Sequence, residues 1–144
     1  MKRHRLLASV SMAQLSLNIA GYVLALRRRH AFDVPFMHGD PVRIGSQSII
    51  FGTALSAPAT LLIAQALASV RLAQGPNLAT TKLVQALGAT YVGGYLAERH
   101  VRHRLTRSGR DPVESPLVVA ALSLSIAMLC IPGEDPAVSP KLDL

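Results

Sequence analysis

Leu83 to Arg110 reads LVQALGATYVGGYLAERHVRHRLTRSGR. From Leu83 to Ala97 it holds no charged side chain; from Glu98 onward it is crowded with Arg and His. The first half favours an apolar medium, whereas a central Arg costs several kcal/mol in hydrocarbon. The junction at Tyr95–Arg99 therefore marks where a helix leaves that medium and meets water.

The rest of the chain follows the same pattern. It has 144 residues, 50% hydrophobic and only 16% charged, against about 25% charged in soluble domains. The charges come in blocks rather than interleaved along amphipathic faces, as a soluble helix needs. These features predict an all-α fold, an integral membrane bundle of four transmembrane helices in a single domain over residues 1–144. The expected spans are about 6–26, 47–70, 79–97 and 115–131, with basic loops at 27–46 and 98–114 and a disordered tail at 133–144.

The first span follows a basic cap of Lys2, Arg3, His4 and Arg5. It is the most polar, with Ser9, Ser11, Gln14, Ser16 and Asn18 inside it. Two alternatives attach to it: a secretory signal, which Arg27-Arg28-Arg29 makes awkward to cleave, or an interfacial or re-entrant helix beside three true spans. In the second span a kink is expected at Pro58. Gln74-Gly75-Pro76-Asn77 makes a tight turn, so the second and third spans form a helical hairpin. Ser115 and Pro116 suit an N-cap and first helical position for the fourth.

If all four cross, both longer loops share one side and carry Arg27, Arg28, Arg29, Arg43, Arg99, Arg102, Arg104, Arg107 and Arg110. The positive-inside rule places them in the cytoplasm and both termini outside, in a plasma membrane of bacterial type.

The net charge of +7 raises nucleic acid as a partner, but there is no Trp, 4% aromatic content and no binding motif. Anionic lipid head groups account for the Arg excess more simply, and Arg27, Arg28, Arg29, Arg99, Arg102, Arg104 and Arg107 are the candidate lipid- or phosphate-binding residues. Ala86, Ala89, Thr90, Gly93, Gly94 and Ala97 form a small-residue stripe that lets another helix approach closely. That helix could belong to the same bundle, to another copy or to a partner subunit.

His100 and His103, with Glu98, His30, His38, Asp33 or Asp40, could be combined into a metal site, but no ligand spacing supports one. No Asp or Glu falls inside a span, and no catalytic motif, cofactor signature or metal signature is present. Cys130, the single cysteine, excludes an intrachain disulfide. The expectation is a small membrane protein acting by helix packing, as an accessory subunit or homo-oligomer. The alternative is a membrane enzyme or carrier for a lipid or other amphipathic or phosphorylated molecule. A pocket lined by Gln14, Asn18, Gln65 or Gln85 would favour the carrier; pairing of those side chains across helices would favour packing.

Overall fold

The computed structural model describes residues 2–40, 42, 43, 46 and 49–133; the expected tail beyond 133 lies outside them. Five helices and one two-stranded hairpin make up the described residues: α1 (Arg3–Arg28), β1 (Asp33–Val34), β2 (Met37–His38), α2 (Ala59–Gln74), α3 (Leu78–Ala97), α4 (Arg99–Arg104) and α5 (Glu114–Cys130). The fold is mostly helical. Among the described residues one helix, α1, is long and apolar enough to cross a membrane by length and composition, while α2 and α5 are apolar but shorter.

The four long helices form a closed ring in the order α1, α2, α3, α5, with each neighbour antiparallel. Ser11 meets Ser69 and Gln14 meets Gln65, so α1 and α2 run antiparallel, and Gly21 farther along α1 faces the Leu55 carbonyl in the segment before α2. Gln14 meets Ser125 while Arg28 reaches Glu114, so α1 lies along α5 too. On the α3–α5 seam, a Cβ on Gly88 would sit 2.8 Å from the Ser125 carbonyl oxygen. Only glycine permits that approach.

Local chemistry sets each helix end. Arg29 adopts a left-handed conformation (φ 55°) and donates its N–H back to α1, while the His30 N–H reaches the Ala25 carbonyl. A side chain there costs about 1–2 kcal/mol relative to the right-handed form. The turn aims His30 across the end of the bundle. Asn77 caps α3 by accepting the Thr80 N–H at 2.9 Å.

Two expectations about helix limits need correction. The segment 47–70 is not one kinked helix: residues 51–58 are irregular, Gly52 has φ +82°, and α2 starts only after Pro58. Proline lacks the N–H and crowds the preceding turn, so it suits a helix start better than an interior. Nor is Ser115 the N-cap of α5. The Asp111 carboxylate takes the N–H groups of Val113 and Glu114 at 2.9 and 2.8 Å, and the Ser115 hydroxyl donates to the Arg104 carbonyl.

The interior mixes apolar and polar side chains: Ser11, Gln14, Asn18, Gln65, Ser69 and Ser125 are fully buried beside Leu72, Val84, Val118 and Met128. Outside, Ile19 on α1, Ile63 and Leu67 on α2, Leu83 on α3 and Ile126 on α5 are bare, with Leu67 69% exposed.

Candidate functional site

Three features line the space between the helices and its basic end. The first is the interior hydrogen-bond network. Gln65 donates to the Gln14 side chain at 2.8 Å and the Ser11 carbonyl at 2.9 Å. Gln14 donates to Ser125, and Asn18 to Gln14. Tyr91 donates to Gln65 at 3.0 Å and Tyr95 to Asn18 at 2.6 Å. Gln85 is separate, donating to the Ile131 carbonyl. All four helices are thereby joined by buried polar groups with partners, the condition under which burial is tolerated.

The second feature is a knot around Glu114, the first residue of α5, whose side chain is fully buried. Arg28 reaches one carboxylate oxygen at 2.7 Å; Arg104 and His100 hold the other at 2.6 and 2.7 Å. His30 lies 3.4 Å away through Nδ1, and its ring is tilted against that of His100 at 4.4 Å between centroids. Burial alone would raise the Glu114 carboxyl, but the His100, Arg104 and Arg28 hydrogen bonds outweigh it and hold it below the ordinary value. Burial, together with the charge of His100, lowers the His30 imidazole. Asp111, beside Arg28, is drawn down to about 2, chiefly by the Glu114 and Val113 N–H groups.

His30, His100 and Glu114 present ligand atoms within 4.8 Å of one another, as a metal would need. Two guanidiniums already occupy that carboxylate, however, and would repel a cation. The arrangement works as an ion knot that staples the start of α5 to the C-terminal end of α1 and to α4. The sequence pairing of His100 with His103 does not occur at this knot; His103 is exposed.

The third feature is a cavity of about 250 Å³ beside Glu98, enclosed by the β1–β2 hairpin, residues 51–58, α2 and the end of α3. The helix breaks at Glu98, which is extended (ψ 121°) and caps α4. Its carboxylate turns inward to the Asp33 N–H at 2.9 Å. Burial raises this carboxyl above the usual range.

The candidate residues separate clearly. Ala86, Ala89, Thr90, Gly93 and Gly94 are exposed and Ala97 is half-buried, so this stripe points out of the bundle. Arg27, Arg29, Arg99, Arg102 and Arg107 are exposed at the basic end. Arg28 and Arg104, expected to be available for phosphate, are instead engaged by Glu114; a buried carboxylate offers them a closer and less hydrated partner than a head group. Glu98, Glu114 and His30 were missed as a group. The signal present was that Glu98 ends one uncharged run and Glu114 begins another.

No family model, curated protein or solved structure matches the chain.

Proposed function

We propose that this chain is a multi-pass integral membrane protein whose four long helices all cross the bilayer, and that it acts through helix packing, associating with a second copy of itself along α3. Two features together support the membrane reading: amides and hydroxyls share the interior with the apolar core, and large Leu, Ile and Val side chains are bare on the outer face of every long helix, where a soluble bundle would lose the stability gained by burying them. In lipid the outward Leu and Ile cost nothing and the inward polar groups must find one another.

At 1.5 Å per residue α1, α2, α3 and α5 are roughly 39, 24, 30 and 25 Å long, from 26, 16, 20 and 17 residues. The shorter two suit a thin or locally thinned bilayer. Because α1 lies along both α2 and α5, it crosses wherever they cross, which favours four spans over three. The two basic loops meet at one end, so the positive-inside rule puts that end in the cytoplasm and both termini outside. Exposed Arg27, Arg29, Arg99, Arg102 and Arg107 then contact anionic head groups.

The observation that carries the association is the bare face of α3. A Cβ added to Gly93 or Gly94 would meet nothing within 4 Å, whereas one on Gly88, toward α5, would meet backbone. Glycines that no neighbour in the chain requires, spaced with Ala86, Ala89 and Ala97 along one helix, leave a shallow track for another helix backbone. A two-fold pair of such tracks is self-complementary. The pairing of Gln14, Asn18, Gln65 and Gln85 with protein groups supports packing over a carrier built on those four.

The test is native mass measurement in lipid nanodiscs and mild detergent. The parent chain is expected as a dimer or higher oligomer, and the double variant Ala89→Leu/Gly93→Leu as a monomer with unchanged helix content. A monomeric parent sinks the proposal.

A further inference from the structure

The cavity beside Glu98 borders the α3 stripe through Thr90 and Gly94, and helix association gives no account of the carboxylate in its wall. Phe32, Phe36, Phe51, Tyr91 and Tyr95 line it. Phe36 at its rim is 82% exposed and Phe51 49%, so two of these rings have little covering them. Against this apolar wall stands one carboxylate, on a residue only 5% exposed.

Among the described residues Glu98 has hydrogen-bond donors but no ion-pair partner, and the Arg102 charge acts on it only from longer range. Its oxygens accept the Asp33 N–H at 2.9 and 3.0 Å and the His100 N–H at 3.4 Å. Among the described residues no Lys, Arg or His side-chain nitrogen lies within the 4.0 Å of an ion pair. Glu114 shows what this protein does elsewhere with a buried acid: it surrounds it with two guanidiniums and an imidazole. Buried carboxylates are ordinarily paired in that way. Asp33 and His100 supply two neutral donors, while an ionised carboxylate can accept about four hydrogen bonds.

We propose that this cavity binds an amphipathic organic cation, an amine on an aromatic or short aliphatic body, with its ammonium on Glu98 and its body among Phe32, Phe36 and Phe51. An ammonium would give Glu98 the charge-assisted partner it lacks. The aromatic faces attract the same cation through their quadrupoles. An anion would be repelled by the carboxylate, and a neutral apolar guest would leave it uncompensated. A volume of about 250 Å³ is just below the usual range for drug-sized ligands, so the fit is to a one- or two-ring molecule. Burial already raises the Glu98 carboxyl, a penalty on the charged form that an ammonium partner would relieve.

The test is equilibrium dialysis of radiolabelled phenylbutylamine and phenylbutanol against the full chain in nanodiscs, with empty nanodiscs subtracted. The amine is expected to bind at one per chain and more tightly than the alcohol. Glu98→Gln, which keeps an acceptor for the Asp33 N–H, should weaken the amine by roughly 30-fold or more and leave the alcohol nearly unchanged. Ala57→Leu, which narrows the cavity and leaves Glu98 and its donors in place, should weaken both. Amine retention no greater than in empty discs, or unchanged by either variant, overturns the proposal. Loss of the alcohol and the amine alike in Glu98→Gln also overturns it, because the carboxylate would then hold the hairpin rather than a ligand. Because Thr90 and Gly94 lie on both the cavity wall and the α3 stripe, the dialysis is repeated on Ala89→Leu/Gly93→Leu, whose two positions are outside the lining. Amine binding kept in that variant separates this proposal from the association of two copies.

Discussion

Leu67→Arg separates a lipid-facing surface from a water-facing one. Leu67 is 69% exposed and is the ninth of the 16 residues of α2, counting from Ala59. It stands about 12 Å from the start of the helix and almost as far from the end. An Arg stem there would reach head groups on neither side without distorting the bilayer. On insertion scales Leu contributes about −0.5 and Arg about +3 kcal/mol at a helix centre, a swing of about 3–4 kcal/mol. In water the same exchange at an exposed site stays within about ±0.5 kcal/mol. The assay is a dodecyl sulfate titration in mixed micelles followed by far-UV circular dichroism, paired with fractionation of membranes from expressing cells. The variant is expected to lose about 3 kcal/mol, or to leave the membrane fraction altogether. Ile63→Arg, on the same outer face at 62% exposure, should behave alike. A Leu67→Arg chain that stays monodisperse in detergent-free buffer with parental stability refutes the membrane reading.

Two further outcomes follow from the interior. Gln65→Leu adds apolar volume to the centre of the bundle, yet it is expected to cost about 1–2 kcal/mol in the same titration, because Tyr91 and Gln14 each lose a partner; a stabilised variant would show the network is not needed. Glu114→Gln should cost about 2–3 kcal/mol, less than a fully buried pair, since Arg104 and His100 are 20% and 21% exposed. Its pH dependence has a definite sign. The folded Glu114 carboxyl lies below its unfolded value of 4.5, so its contribution is present above 4.5 and is lost as pH falls through the lower folded value. His30 is lowered from 6.5, so acidification below 6.5 protonates the unfolded chain first and also destabilises. The parent should therefore lose stability in two stages between pH 7.5 and the acid limit; His30→Asn should remove the upper stage, and Glu114→Gln should shrink the lower one to the part carried by Asp111, whose carboxyl is also held low. A parent with flat stability from pH 7.5 to 4.5 would contradict the assignment of His30.

Helix existence was legible where charge was absent over long windows, as from Leu83 to Ala97, and helix ends were legible where Pro, Gly or Asn stood, as at Gln74–Asn77. The break at Pro58 was underread, because a spanning helix tolerates proline when its neighbours satisfy the freed carbonyl. Here the preceding chain has its own turn, closed by the Thr53–Ser56 pairing. The stripe on α3 was visible as a spacing, but whether it faced α5 or the outside was not, since both faces of that helix are rich in small residues.

Sequence alone determined which stretches form long uncharged helices and which end of the bundle carries most of the Arg, because both depend on the composition of contiguous segments. Tertiary structure decided which polar and charged groups meet. Gln65 finds Gln14 across 51 positions, and Glu114 finds Arg28 across 86. A buried carboxylate or amide takes whichever donor the packed helices bring within about 3 Å, and no local pattern records that choice.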